Sequence, residues 1–147
     1  LAVSAIAVGS ATGRLVGGFI ADRLPLVTFT IVLAFVQGIT LIGIAFADGR
    51  IALVVVAFCF GTTIGNLLML QPLLIASAFG VTAYPRIFAS QQLIITVGIA
   101  GGPLLLGALR DASSYRASYV VSGLLSMAAA AVMAASGTRR PSPASVV

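Results

Sequence analysis

Arg14 is the residue whose type and position most clearly indicate a chemical role. It is the one charged side chain in the apolar run from Leu1 to Ala21. A helix of about 20 such residues crosses the ~30 Å hydrocarbon layer of a bilayer, where a lone guanidinium is costly and should face protein, water or a ligand. At 1.5 Å per residue, Arg14 lies ~12 Å from Asp22 and therefore near the bilayer midplane. Three interpretations stay open: substrate contact, a structural hydrogen-bonding role, and snorkelling to the membrane surface.

Four neutral polar side chains could hydrogen-bond a substrate together with Arg14. Thr62 and Asn66 are four residues apart, as are Gln92 and Thr96, so each pair shares one face of a helix. Polar groups in an apolar medium must find hydrogen-bond partners. We predict that Arg14 and these four residues bind the substrate. Hydrogen bonding between helices is the alternative.

The sequence lacks the side chains that acid–base or metal chemistry requires. It contains no histidine, and its three acidic residues, Asp22, Asp48 and Asp111, fall at the ends of apolar stretches. Hydrolysis or group transfer needs a nucleophile with a base, or a metal. The single cysteine, Cys59, lies in an apolar run and is interpreted as a packing residue. We therefore expect no catalytic residue, no enzyme activity, no metal site and no cofactor.

The composition is that of a chain surrounded by lipid. Hydrophobic residues make up 60% of the 147 residues and charged residues 7%, against about 25% charged residues in a typical soluble domain. The net charge of +5 comes from scattered arginines without a basic stripe or an aromatic platform. The lipid bilayer is the expected partner, and nucleic-acid binding is not expected.

The apolar stretches predict an all-α, polytopic membrane bundle. Five spans are expected at about 1–21, 27–46, 51–79, 87–109 and 116–136. They form a bundle over residues 1–137, and the polar, proline-containing tail 138–147 is predicted to be disordered. The third span is longer than needed, so a tilt or a kink near Pro72 is expected. Short connections make successive helices antiparallel neighbours. Arginines at the span ends number four on one side (Arg23, Arg86, Arg139, Arg140) and three on the other (Arg50, Arg110, Arg116), which favours a multi-pass cell-membrane protein with a cytoplasmic C-terminus.

Small residues four apart predict where helices approach closely. The first span has such a row, and two further pairs lie in the third and fourth spans. Proline in the fourth span removes a backbone donor and admits a bend. The predicted packing residues are Gly9, Gly13, Gly17, Gly61, Gly65, Gly98, Gly102 and Pro103.

Two motifs resemble the major facilitator superfamily. The run Gly13-Arg14-x-x-Gly17-Gly18-x-x-Ala21-Asp22-Arg23 is similar to the loop signature after helix eight of that twelve-helix fold. The run Gly102-Pro103-x-x-x-Gly107-x-x-x-Asp111 and the apolar span after it look like helices eleven and twelve. By this resemblance the five spans are helices eight to twelve of an incomplete half, and the partner is an N-terminal half outside this sequence. The resemblance implies a gating role for Gly18, Asp22 and Arg23.

A narrower resemblance is to the monocarboxylate and oxalate–formate branch, carried by Leu70-Gln71-Pro72 and Tyr84-x-Arg86-Ile87-Phe88. In that branch an arginine corresponding to Arg14 is taken to bind the substrate carboxylate. Ser10 stands where monocarboxylate carriers commonly have an aspartate, so proton coupling through such a pair is not expected. The implied function is secondary transport of a small organic anion by alternating access. A drug or sugar transporter of the same superfamily and a membrane scaffold or accessory protein are the alternatives.

Overall fold

The computed structural model describes residues 1–137, and its regular structure over that range is entirely helical. Three of the helices are α1 (Ala2–Ala21), α2 (Leu26–Ala45) and α5 (Tyr115–Gly137). The helical run Arg50–Ala112 contains one non-helical residue, Gly80, and therefore consists of two helices, α3 (Arg50–Gly80) and α4 (Thr82–Ala112). The predicted all-α fold class is confirmed, and five helices are long and apolar enough to cross a membrane. The predicted tail 138–147 lies outside the described residues.

The connection between α3 and α4 is shorter than the sequence analysis expects. Gly80 has φ 74° and ψ 169°, a left-handed backbone conformation that glycine adopts without steric cost. Residues 82–86, expected in a connection, are already helical. Pro85 lies in the first turn of α4, where a missing N–H removes at most one intrahelical hydrogen bond. Pro72 and Pro103 lie inside helices, and Gly80 is the one residue with non-helical angles in this run. The tilt or kink expected near Pro72 stays a prediction.

Contacts between the helices give their directions. Gly9 of α1 faces Phe58 of α3, and Gly13 faces Thr62, so the residue numbers rise together and the two helices are parallel. In contrast, α2 and α5 are antiparallel: Gly123 lies against Ile42, while Ser126 Oγ donates to the Ala34 carbonyl at 2.9 Å.

The positions of the helix ends agree with these directions. Asp48, after α2, lies 3.7 Å from Arg116, at the start of α5. At the other end a groove is lined by Val27 of α2, Phe79 of α3 and Met133 of α5. The α2–α3 and α4–α5 connections therefore share one end of the bundle, and the α3–α4 break lies at the opposite end.

The α1–α3 contact is backbone against backbone. A Cβ atom added to Gly13 would lie 2.6 Å from the Thr62 carbonyl oxygen, and one added to Gly61 would overlap the Ile6 carbonyl. Gly9 and Gly65 meet the backbones of Phe58 and Ser10 in the same way. The missing side chains on both helices are what permit this separation.

Packing in α4 is different from packing in α1 and α3. No residue of α4 is buried, although Ser118 Oγ of α5 donates to the Leu106 carbonyl at 3.1 Å. Within the described chain nothing lies within 4 Å of a Cβ atom added to Gly98 or Gly102. The predicted close helix crossing at these two glycines stays a prediction.

Alanine substitution should distinguish the glycines of the α1–α3 contact from the open ones. Gly61→Ala should destabilise the protein by about 1–3 kcal/mol, because the added methyl group meets the Ile6 backbone. Gly101→Ala is the matched control in an open helical position, where alanine should be neutral or stabilise by up to about 1 kcal/mol. Thermal unfolding followed by circular dichroism in detergent micelles measures both. Equal effects of the two substitutions would contradict the observed packing.

Candidate functional site

Arg14 projects from the middle of α1 over a surface of small side chains. Its side chain is exposed and forms no hydrogen bond or ion pair within residues 1–137. Helix positions three, four and seven residues away are its neighbours on the helix surface. Every one of these neighbours is alanine, serine or glycine: Ala7, Ser10, Ala11, Gly17, Gly18 and Ala21. We call this surface the Arg14 shelf, because no side chain of its own helix covers the guanidinium.

Large apolar side chains project from another side of α1. Val8, Leu15 and Phe19 are exposed, Phe19 to 78%. At about 100° per residue, Val8 and Phe19 lie roughly 120° and 140° from Arg14 around the helix axis, on the same side. One exposed side of α1 is thus bulky and apolar, whereas the other is small and carries the charge.

A cavity of about 260 Å³ lies between α1, α2 and α3. Its walls include the apolar side chains Phe29 and Leu33 of α2 and the buried glycines Gly13 and Gly17 of α1. Three polar side chains also line it, and they are Thr12, Thr62 and Asn66. We call it the Asn66 cavity.

Asn66 is the buried polar residue of this cavity. Only 5% of its surface is exposed, and its Nδ2 donates to the Thr62 carbonyl at 2.9 Å. This bond determines the orientation of the amide, since the reverse orientation would direct Oδ1 at a carbonyl oxygen. The oxygen Oδ1 is buried and has no hydrogen-bond partner in the described chain. It occupies the space in which Gly17 lacks a side chain.

The two threonine hydroxyls of the cavity donate their protons to their own helices. Thr62 Oγ1 donates to the Cys59 carbonyl at 2.7 Å, and Thr12 Oγ1 donates to the Val8 carbonyl at 2.9 Å. Each hydroxyl oxygen keeps lone pairs that can still accept a hydrogen bond. Both hydroxyls can therefore accept a further hydrogen bond, and Asn66 Nδ2 has a second N–H besides the one that it donates to the Thr62 carbonyl.

The predicted substrate-binding residues form three separate groups. Arg14 does not line the Asn66 cavity, and it lies about 160° around α1 from Thr12. Thr62 and Asn66 share the cavity, as their spacing suggests. Gln92 and Thr96 are exposed on α4, where Thr96 Oγ1 donates to the Gln92 carbonyl at 2.8 Å. Their combination with Arg14 in one site stays a prediction.

Two further polar residues, which were not predicted as site residues, have notable positions in the structure. Thr12 belongs to the Asn66 cavity, and its position beside Gly13 in the row of small residues is the signal that could have found it. Gln91 has a buried Oε1 without a hydrogen-bond partner in the described residues. It carries no such signal, because it precedes Gln92 in a polar stretch whose faces only the fold distinguishes.

The predicted gating residues lie at and near the end of α1. Asp22 is the C-terminal cap residue of the helix, and both Asp22 and Arg23 are exposed. A Cβ atom added to Gly18 would meet nothing within 4 Å in the described part of the chain. Their gating role stays a prediction. Within residues 1–137 no three His, Cys, Asp or Glu side chains form a group that could hold a metal ion.

Comparison with known proteins yields no relative. No protein-family model matches the chain, and neither a curated protein nor a solved structure matches it. The residues and their geometry are therefore the basis for the function proposed below.

A double-mutant cycle should detect the contact between Gly17 and Asn66. Gly17→Ala should destabilise the protein, because its Cβ atom would overlap Asn66 Oδ1. In an Asn66→Ala background the same substitution should cost less, since the obstructing amide is gone, which gives a coupling of about 0.5–3 kcal/mol in thermal unfolding. Gly18→Ala, one residue further along α1, is the control and should show no coupling. Additive effects of Gly17→Ala and Asn66→Ala would contradict the contact.

Proposed function

We propose that this chain forms part of a secondary membrane transporter that moves a small organic anion, such as a monocarboxylate, by alternating access. The observation that carries the proposal is Arg14, an exposed charge in the middle of an apolar helix, surrounded by small side chains and without an ion pair in residues 1–137. Its natural counterpart is an anion supplied from outside the described chain.

The position of Arg14 favours a ligand over lipid. A guanidinium near the bilayer midplane is ~12–15 Å from either surface, and snorkelling recovers only part of that distance. Ser10 and Gly17 of the Arg14 shelf pack against α3, whereas the alanines on the other side of Arg14 leave room beside the guanidinium for a ligand. Arginine also binds carboxylates through two parallel hydrogen bonds, a geometry that distinguishes it from a point charge.

The exposed surface of α4 supports the proposal that further helices pack on it. This helix is long and apolar, yet none of its residues is buried. Its exposed polar pair, Gln92 and Thr96, and its glycines are typical of a helix that packs on others or lines a central path. We propose that the N-terminal half of the transporter covers this surface, and that lipid covers the large apolar side of α1.

The positions of the acidic residues bear on how transport could be coupled to a proton gradient. Asp22 and Asp48 follow the ends of α1 and α2, and Asp111 lies in the last turn of α4. A protonatable carboxylate in the middle of a helix is therefore lacking among the described residues. The substrate carboxylate, another ion or the partner half would supply the coupling.

The proposed topology can be tested by thiol labelling. In a Cys59→Ser background, single cysteines at Ala83 and Ser113 should lie on opposite sides of the membrane, since they are near opposite ends of the bundle. With a cytoplasmic C-terminus, an impermeant thiol reagent added to intact cells should label position 113 and not position 83. Labelling at 83 alone would reverse the orientation, and labelling at both would contradict the spans.

Substitution of Arg14 tests the anion proposal. In the full-length protein, Arg14→Ala should abolish uptake of the natural anion, because the charge and both hydrogen bonds are lost. Arg14→Lys should retain part of the uptake, because it keeps the charge without the planar guanidinium. Uptake of radiolabelled monocarboxylates into cells, with membrane abundance measured in parallel, provides the readout.

Arg116→Ala is the matched control for Arg14. Arg116 is an exposed arginine at a helix end, in a surface ion pair of the kind that contributes at most about 1 kcal/mol. Its loss should leave uptake near the wild-type value. Unchanged uptake by Arg14→Ala would remove the anion proposal and favour a drug or sugar substrate, with Arg14 structural. The absence of any saturable uptake in the wild-type protein would favour the scaffold interpretation.

A further inference from the structure

A cavity of about 240 Å³ lies between α4 and α5, beside the connection that joins them. This volume is several times the ~30 Å³ that one water molecule occupies in the liquid. The lining residues are Leu106, Gly107 and Arg110 of α4 and Tyr115, Ser118 and Tyr119 of α5. We call it the Arg110 cavity. None of its residues lines the Asn66 cavity or belongs to the Arg14 shelf, so it is a separate site.

Arg110 brings a charge without a counter-ion to this cavity. Its guanidinium carbon lies 4.5 Å from the centroid of the Tyr115 ring, a cation–π contact that positions the charge. Arg110 forms no hydrogen bond or ion pair within residues 1–137. The nearby Arg116 differs, because it lies 3.7 Å from Asp48. The N–H donors of Arg110 are therefore available to an anion from outside the described chain.

Two phenol hydroxyls add neutral donors to the same cavity. Tyr115 and Tyr119 are one helical turn apart on α5, and neither hydroxyl has a hydrogen-bond partner in the described residues. Ser118 offers no further donor, because its proton is directed at the Leu106 carbonyl, 3.1 Å away, and the Ser114 carbonyl. A guanidinium with adjacent hydroxyl donors is a combination that recognises an anionic oxygen.

In the membrane-spanning arrangement proposed above, this cavity lies where hydrocarbon meets the headgroup layer. Arg110 is two residues from the end of α4, a rise of ~3 Å, and Tyr115 is the first residue of α5. Leu106 lies one turn deeper, ~6 Å from Arg110 along the axis. Tyrosine is enriched at this boundary of membrane proteins. Charged donors at the surface above an apolar wall suit an amphipathic occupant.

We propose that the Arg110 cavity binds the phosphate group of a membrane phospholipid. A phosphodiester is an anion that arginine binds through two parallel hydrogen bonds, and it lies in the headgroup layer, at the level of the helix ends. The glycerol and the first acyl carbons then lie along Leu106, beside the open position at Gly107. A free phosphate ion would use the same donors and leave the apolar wall without a contact.

Native mass spectrometry of the purified full-length protein in non-ionic detergent tests the site. The probes are dioleoylphosphatidylglycerol and dioleoylglycerol, which has the same acyl chains and no phosphate. Wild-type protein should bind the first phosphatidylglycerol molecule saturably and more tightly than dioleoylglycerol. Arg110→Ala should weaken phosphatidylglycerol binding by about fivefold to tenfold, the loss expected for one arginine at a lipid surface, and should leave dioleoylglycerol binding unchanged.

Variants outside the cavity provide matched controls. Arg50 is exposed at the start of α3, at the same end of the bundle, and does not line the cavity, so Arg50→Ala should leave phosphatidylglycerol affinity near the wild-type value. Tyr119→Phe should weaken binding, because it removes a cavity hydroxyl and keeps the ring. Tyr84→Phe, near the opposite end of α4, should not. The tyrosine pair decides the proposal even if Arg110→Ala fails to fold.

Equal losses in Arg110→Ala and Arg50→Ala would overturn the site, because they indicate general attraction to surface charge. Wild-type protein that binds phosphatidylglycerol no more tightly than dioleoylglycerol would also overturn it. Displacement of the lipid by inorganic phosphate at equal ionic strength would identify a free anion as the occupant and contradict the assignment to a phospholipid. Arg14→Ala should bind the lipid as wild-type protein does, so a failure of the transport proposal would leave this measurement unaffected.

Discussion

The close approach of α1 and α3 is the contact on which the arrangement of the first three helices depends. Gly9 and Gly13 on one helix, and Gly61 and Gly65 on the other, leave positions where a Cβ atom would overlap the opposite backbone. Without side chains between them the helices gain close van der Waals contact along two turns, and they pay no side-chain entropy for it. Because both helices contribute glycines, a substitution on either side disturbs the same interface.

Beside this contact, the remaining surface of α1 has two different sides. One side adjoins α2 and α3 and forms the Asn66 cavity, whose polar groups are uncharged. Another side carries Arg14, which forms no hydrogen bond or ion pair within residues 1–137, although Ser10 and Gly17 at the edge of its shelf pack against α3.

The helices of the bundle differ in how many of their residues are buried. The α2–α5 contact also depends on glycines, because Gly38 and Gly123 each lie close to the opposite helix. A Cβ atom added to Gly123 would lie 2.7 Å from the Gly38 carbonyl oxygen. In contrast, α4 has no buried residue and keeps several large apolar side chains exposed, including Leu93 at 72% and Leu104 at 75%. This exposed apolar surface, with its glycines and two polar side chains, is the basis for the proposal that helices outside the described residues pack on α4.

The sequence by itself determined the helices and their apolar character. Span length, the near absence of charge and the position of Arg14 are local properties, and each can be read from consecutive residues. The spacing of Gly9, Gly13, Gly61 and Gly65 also indicated a close contact, although it could not identify the partner helix. Pro85 is compatible with either a connection or a helix, because proline fits the first turn of a helix as well as a loop, and only the backbone angles of Gly80 show where the chain turns. Tertiary structure decided which polar residues belong together: it joined Thr12 to Thr62 and Asn66 and separated Arg14 from them. The reason is geometric, since spacing along one helix reveals a shared face, whereas the side from which a neighbouring helix approaches depends on the packing of the whole bundle.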